Sequence, residues 1–284
     1  MRVRWLGWAG AEYEHEGETV VVDPLADPAA TFAAFGAAAD GVELPAVAAP
    51  AGGALAGLVS HLHRDHADAA ALAAALAPAA TVHHPEAWGD ANLALAQAEH
   101  ELGAAKLRRR EVTVWESITV GPFTCTALPA VDGLGDPQVS WLVEAGDTRA
   151  LHLGDTVFHG GWWQMARRAG PIDVVLAPVN GAIVDFPHQQ PASPLPATMV
   201  PEQAALAGEL LGAGAVIPMH YGGFGFEPHY VPIPDARERF EAAARGRPYR
   251  AAPLAPGETL DPVGRVDPGY RAKPHPASRA RRAG

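Results

Sequence analysis

Residues 58–72 read LVSHLHRDHADAAAL, a short apolar run that breaks into three histidines and two aspartates before an alanine-rich stretch begins. A solvated loop does not require histidines and aspartates in this order, and a helix would spread these side chains around its circumference. Imidazoles and carboxylates at close spacing are the ligands of metal centres that activate water. A scattered polar loop is the alternative, and it would suit a lone histidine better than this cluster. We therefore predict a metal site directly after a buried strand.

The spacing within this motif divides its side chains into two pairs. The imidazoles of His61-x-His63 lie close enough to hold one cation, while Asp65 and His66 can turn toward a second cation beside it. A site with two metal ions is the interpretation that uses all four side chains. Asp68 follows, and it is predicted to cap a helix that begins at Ala69.

Composition and charge limit the class of protein. With 284 residues, of which 48% are hydrophobic, the chain is predicted to form one large domain over residues 1–264. The formal net charge of -11 argues against a nucleic-acid partner and favours a small-molecule substrate. A homo-oligomer is compatible with this composition. The single cysteine, Cys125, lies in an alternating strand-like run and is predicted to pack in the core.

The two ends of the sequence carry weaker signals. The N-terminal segment lacks the apolar core of a signal peptide, and no stretch offers the ~18 apolar residues of a membrane span. These features predict a cytoplasmic protein without a membrane span. Residues 265–284 are rich in Pro, Arg and Ala and are predicted to be a poorly ordered tail.

Predicted strands and helices alternate in both halves of the chain. Period-two patterns indicate several short strands in residues 2–23 and again in residues 111–153, and continuous apolar runs indicate buried strands near the C-terminal third. Helices are predicted over residues 69–77, 85–102, 201–211 and 235–245. This order favours an α/β sandwich with helices outside the sheets.

The pattern H-x-H-x-D-H at residues 61–66 closely resembles the first metal motif of the metallo-β-lactamase superfamily, and the resemblance can be followed over nearly the whole chain. It implies an αββα sandwich, with two mixed β-sheets packed face to face. Asp23 in VVVDP resembles the early aspartate that supports the metal loop. Asp155 in LHLGDT matches the aspartate that bridges both metals, and His220 in VIPMHYG matches a ligand of the second metal.

The segments APVNGAIVDFP and MVPEQAALAGELLGAGAVIPMHYGGF look like the branch that contains ascorbate-6-phosphate lactonase and related hydrolases. The resemblance implies hydrolysis of a lactone, ester or phosphodiester by a metal-bound hydroxide, with Asp65 and Asp155 as the catalytic residues. Two alternatives stay open. One is a non-haem iron oxygenase of the same fold, and the other is a metal-stabilised binding protein without turnover.

One position departs from the branch pattern. The branch usually has P-A-x-H where this chain reads PAVDG, which places Asp132 at the ligand position. The resemblance implies two divalent ions, with zinc as the first choice of metal. The carboxylate of Asp132 is a hard oxygen donor, so it shifts the metal preference toward manganese or iron. The alternative is that Asp132 only caps a turn before Gly133. Three other histidines are candidate substitutes: His159, His188 and His229.

Aromatic side chains that follow the predicted ligands are candidate walls of a substrate pocket. Trp162 and Trp163 follow the Gly-Asp motif, and Tyr221, Phe224 and Phe226 follow the last histidine. No cluster of Lys or Arg accompanies these segments, so a doubly charged phosphate substrate is not favoured.

Overall fold

Two seven-stranded β-sheets form the centre of the molecule, and a third sheet has only two strands. The computed structural model describes residues 1–33, 42–88, 93–187 and 189–262. In chain order the strands are β1 (Arg2–Gly7), β2 (Gly10–His15), β3 (Glu18–Val22), β4 (Ala54–Leu58), β5 (Leu76–His84), β6 (Arg108–Glu111), β7 (Ser117–Val120), β8 (Phe123–Pro129), β9 (Val139–Ala145), β10 (Thr148–His152), β11 (Val174–Pro178), β12 (Ile183–Val184), β13 (Ala215–Met219), β14 (Tyr230–Val231), β15 (Arg250–Ala251) and β16 (Thr259–Leu260).

Both large sheets are mixed, with antiparallel neighbours on one side and parallel neighbours on the other. The first sheet has the order β16-β1-β2-β3-β4-β5-β6, and its strands from β3 to β6 are parallel. The second sheet has the order β15-β13-β11-β10-β9-β8-β7, and its strands from β10 to β15 are parallel. The carboxyl ends of parallel strands meet at one edge, where ligand sites of α/β proteins form.

The sheets pack face to face over one shared hydrophobic core. Tyr13 and Leu58 of the first sheet and Phe123 and Trp141 of the second sheet are fully buried members of the same cluster. Cys125 lies in this core, as predicted, and burial raises the pKa of its thiol to about 12. The cysteine therefore packs as a small apolar residue rather than as a reactive thiolate.

Helices cover the outer faces of both sheets, which confirms the predicted αββα sandwich. They are α1 (Pro28–Phe32), α2 (Ala69–Ala75), α3 (Leu93–Ala104), α4 (Trp162–Ala169), α5 (Pro201–Leu210) and α6 (Ala236–Ala244). Leu72 of α2 and Leu102 of α3 pack against Val82 of the first sheet. Met165 of α4 and Phe240 of α6 belong to the cluster under the second sheet.

The predicted helix over residues 85–102 is wrong in its first part. His84 still pairs with Glu111 of β6, and residues 85–88 are not helical. Pro85 therefore follows a strand rather than opening a helix, since a proline is compatible with either position. The tail predicted at residues 265–284 lies outside the described residues. Within the described ranges, none of the helices has the length and apolar character needed to cross a membrane.

Candidate metal centre

All seven predicted site residues come together at the edge where strands of both sheets end. The motif His61 to His66 follows β4, and Asp132 follows β8. Asp155 follows β10, and His220 follows β13 directly. Rigid strand ends hold such side chains more firmly than long loops do. The structure thus assembles in space what the sequence had placed in four separate segments.

The first cluster consists of His61, His63, Asp132 and Asp155, which each offer one ligand atom within 4.8 Å of the others. His61 Nε2 lies 2.8 Å from His63 Nδ1 and 3.4 Å from Asp155 Oδ1. Asp132 Oδ2 accepts the backbone N–H groups of Leu134 and Asp136, each at 2.9 Å. Asp132 therefore caps a turn and also belongs to the cluster.

The second cluster consists of Asp65, His66 and His220. Asp65 Oδ2 lies 3.5 Å from Nε2 of both histidines, and the two Nε2 atoms are 3.3 Å apart. Asp155 Oδ2 approaches the same imidazoles at 3.8 and 3.9 Å. One oxygen of Asp155 thus faces the first cluster and its other oxygen faces the second. A carboxylate in this arrangement is suited to bridge two cations.

Carboxylates behind the histidines fix the orientation of their rings. Asp23 Oδ2 lies 2.8 Å from His66 Nδ1, and its Oδ1 accepts the backbone N–H of Ser60 at 2.7 Å. Asp136 Oδ2 lies 2.8 Å from His63 Nε2. Each ring therefore turns its remaining nitrogen toward its cluster. Such carboxylate–histidine pairs are typical of metal centres, and Asp23 has the supporting place that the resemblance implies.

Replacing Asp23 with asparagine should lower zinc affinity by roughly 10- to 100-fold, the range for loss of a supporting group. The amide would present N–H to His66 Nδ1, so the ring would lose the acceptor that fixes its tautomer. Competition with a chelating dye measures the affinity. Asp27→Asn is the control, because Asp27 caps α1 four residues after Asp23 and asparagine caps equally well. Equal zinc affinity in Asp23→Asn and the unchanged protein would contradict this role.

Sequence reasoning missed Asp136 and three further residues beside the clusters. Trp8 donates its indole N–H to Asp65 Oδ2 at 2.8 Å, and its ring contacts that of His220 in a tilted arrangement, with the ring centroids 4.1 Å apart. Gln138, in the amide orientation that its neighbours require, donates to Asp155 Oδ1 at 3.1 Å. Tyr230 is half-buried, and desolvation together with the charges of Asp65 and Asp155 raises the pKa of its phenol. The only available signal was the position of Trp8 after a strand, since these residues match no motif.

Backbone conformations of rare type also gather at this edge. Trp8, Asp23 and His220 have φ values of 47°, 45° and 57°, in the left-handed region that side chains other than glycine seldom adopt. His220 donates its backbone N–H to the Trp8 carbonyl at 2.8 Å, so two of these residues hold each other. Such conformations cost roughly 1–3 kcal/mol each and cluster at functional sites.

Gly154 allows the close packing next to Asp155. Its φ is +65°, and a Cβ there would lie 2.6 Å from the side-chain amide of Gln138 and 3.0 Å from Ser60 Cβ. Gly154→Ala should therefore lower the free energy of unfolding by about 1–3 kcal/mol, measured by urea denaturation. Gly103→Ala in α3 is the matched control, because a Cβ at that exposed position meets nothing within 4 Å. Equal stability of both variants would show that the Gly154 turn is relaxed.

The charge of the two clusters fits divalent cations. Among the described residues, no ion pair links Asp23, Asp65, Asp132 or Asp155 to a lysine or arginine. Burial raises the pKa of the Asp155 carboxyl to about 6. Burial opposes the charged form of His66, but Asp65 and Asp23 outweigh it and raise the pKa of this imidazole to about 10. Buried carboxylates of this number need compensating positive charge, and metal ions with these N and O donors supply it.

Other candidates from the sequence have different surroundings. His159 accepts the Gly161 N–H and stacks on Trp162. Trp162, predicted as a pocket wall, is instead buried in the cluster between the second sheet and its helices. His229 bonds to the Asp185 carbonyl at 2.7 Å. Neither histidine belongs to the candidate metal groups of the described chain. The third candidate substitute, His188, lies outside the described residues.

Comparisons with known proteins agree with this geometry. A family model described as the Beta-lactamase superfamily domain matches residues 18–221. An uncharacterized protein of Mycobacterium tuberculosis (strain ATCC 25618 / H37Rv) is 26% identical over 294 residues, which covers 95% of this chain and 72% of that protein. A metal-dependent hydrolase of Thermococcus kodakarensis is 30% identical over 151 residues, which covers 53% of this chain and 54% of that protein.

A solved structure shows the same fold. CmlA, a diiron β-hydroxylase from Streptomyces venezuelae, has a TM-score of 0.66 at 18% identity and covers 91% of this chain and 53% of its own. The likeness concerns the fold, whereas the family model spans most of the sequence and carries the assignment. The chain therefore belongs to the β-lactamase superfamily, and its two packed sheets form the αββα sandwich described above.

Proposed function

We propose that the protein hydrolyses a neutral or singly charged lactone, ester or phosphodiester at two divalent metal ions, with zinc as the first choice of metal. The observation that carries this proposal is Asp155, whose two oxygens face two separate clusters of donors. One ion would be held by His61, His63 and Asp132. The other ion would be held by Asp65, His66 and His220, and Asp155 would contact both ions. When bound, such ions act as Lewis acids and lower the pKa of water toward neutrality.

The reaction adds water across one bond of the substrate. For an ester the acyl C–O bond breaks, the acyl carbon gains the hydroxyl of water, and the leaving alkoxide takes the remaining proton. Asp65 is the carboxylate placed to accept or hold a proton beside this bond, while Asp155 would act by holding both ions. Trp8 donates to Asp65 Oδ2 and so fixes the orientation of this carboxylate.

Charge at the site supports a substrate with little negative charge. Arg64 lies inside the motif, but its guanidinium forms an ion pair with Glu101 of α3 at 3.2 Å rather than with a carboxylate of the clusters. The two negative charges of a phosphate monoester would have to be compensated by the metal ions alone. A lactone, an ester or a phosphodiester carries at most one negative charge and needs less compensation.

A substrate screen tests the proposal. Protein loaded separately with zinc, manganese or iron should hydrolyse at least one member of a panel of aryl esters, lactones and bis-aryl phosphodiesters, and chelation should stop the reaction. No turnover of any of the three classes with any metal would overturn the proposed reaction.

The iron oxygenase is the second candidate, because His61, His63 and Asp132 form a set of two histidines and one carboxylate in the described structure. That set is also the ligand triad of non-haem iron oxygenases. Oxygen consumption by the iron-loaded protein, in the presence of small thiols, distinguishes it from hydrolysis. Metal binding without either activity would favour a metal-stabilised binding protein.

A further inference from the structure

A cleft of about 440 Å³ opens beside the first cluster of the metal centre. Asp132 forms part of its wall, together with Asp136 and Gln138. These last two side chains hold His63 and Asp155 respectively. The cleft therefore ends on groups that belong to the proposed catalytic site or support it directly. Its size is within the range of small-molecule sites.

The rest of the cleft is apolar and accessible. Six large apolar side chains are exposed in the described part of the chain, and three of them, Trp88, Val114 and Val131, line this one cleft. Each of the three is close to half exposed, at 45%, 45% and 46%. Pro85 and Pro137 extend the same surface. Exposed apolar side chains that gather in a concave site mark a ligand surface, whereas scattered ones carry no such meaning.

The charged residues of the cleft exclude an anionic ligand group. Its charged lining residues are Glu86, Asp132 and Asp136, and no lysine or arginine is among the described residues that line it. A free carboxylate or phosphate held along the cleft would therefore meet like charge, with no lysine or arginine of the lining to offset it. A neutral apolar group meets no such penalty and gains by leaving water.

We infer that this cleft binds the apolar acyl arm of a neutral ester or lactone, so that the substrate carries a hydrophobic chain or ring next to the bond that is cleaved. The inference rests on the proposed function, because it takes the first cluster as the place of bond cleavage. It narrows that proposal from three substrate classes to acyl compounds with an apolar arm. Trp88 is a substrate-binding residue in this account, and it has no part in the chemistry.

A homologous series of substrates tests the acyl arm. For p-nitrophenyl acetate, butyrate and octanoate, kcat/KM of the zinc-loaded protein should rise by about fourfold per methylene until the cleft is filled. Trp88→Ala should lower kcat/KM for the octanoate by about tenfold and leave the acetate within about twofold. Trp163→Ala is the matched control, since Trp163 is 51% exposed on α4 and does not line the cleft.

A binding measurement separates this inference from the proposed function. N-phenyl-1-naphthylamine, a neutral apolar fluorophore, should bind the zinc-loaded protein, and octanamide should displace it better than octyl phosphate does. Trp88→Ala and Val114→Asp should each weaken this binding about tenfold or more, and the exposed position of Val114 leaves the fold intact. Trp163→Ala should bind the fluorophore as the unchanged protein does.

The outcomes then divide cleanly. Fluorophore binding that depends on Trp88, with no ester turnover, would support the cleft and overturn the proposed reaction. Ester turnover without chain-length preference, together with fluorophore binding unaffected by Trp88→Ala and Val114→Asp, would overturn the cleft and leave the proposed reaction in place. Better displacement by octyl phosphate than by octanamide would overturn the preference for a neutral arm.

Discussion

Asp155→Ala should bind fewer than two metal ions per chain and lose turnover. Asp155 is the residue with one oxygen 3.4 Å from His61 Nε2 and the other 3.8 Å from His66 Nε2, so its removal deprives both clusters of a donor at once. The loss of metal affinity should exceed the roughly 10- to 100-fold cost of losing a supporting group. Elemental analysis after dialysis gives the metal content, and the ester assay gives the turnover.

The fold of this variant should persist. Asp155 is a buried carboxyl whose pKa burial raises to about 6, and its contacts lie at the edge of the sheets rather than in the core between them. Asp68→Ala provides the complementary control, because it removes the cap of α2 in the motif loop and should cost about 1 kcal/mol of stability while metal content stays unchanged. Two ions per chain and full turnover in Asp155→Ala would remove the bridging role.

The parts of the fold that the sequence predicted are those with strong local patterns. Ala215–Met219 is a continuous apolar run, and the structure has a strand with those bounds. Asp68 was predicted to cap a helix, and its side chain accepts the backbone N–H groups of Ala70 and Ala71. The histidine motif could be placed because its residue types are rare together and because a family pattern exists for it. Local chemistry decides such features, so local sequence is enough.

The remainder depends on contacts between distant segments. Nothing in the local sequence places Trp8 beside Asp65, which is 57 positions away, or Gln138 beside Asp155. Trp162 was a candidate pocket wall, yet it is buried under the second sheet, because an aromatic residue after a ligand satisfies the core equally well. In contrast, no pattern in the sequence pointed to Trp88 as a pocket residue. The cleft that Trp88 lines depends on the non-helical path of residues 85–88 after β5.

Asp132 has two roles in the structure that the sequence had presented as alternatives. Its Oδ2 accepts two backbone N–H groups of the following turn, and its carboxylate also lies with His61, His63 and Asp155 in the first cluster. Both amides donate to the same oxygen, and no hydrogen bond in the described chain uses Oδ1. The turn therefore orients the carboxylate and leaves the second oxygen for a cation.

Asp132→His and Asp132→Asn together should separate the two roles. Histidine restores the ligand type of the branch and replaces a hard oxygen donor with an imidazole, so zinc affinity should rise relative to manganese by about tenfold or more, while the lost turn contacts cost about 1–2 kcal/mol of stability. Asparagine keeps an acceptor for the turn and removes the charge. It should therefore retain stability but lose zinc affinity, measured by chelator competition. If Asp132 acted in the turn alone, Asp132→Asn would bind zinc as tightly as the unchanged protein, and Asp132→His would lose stability with no gain in zinc preference.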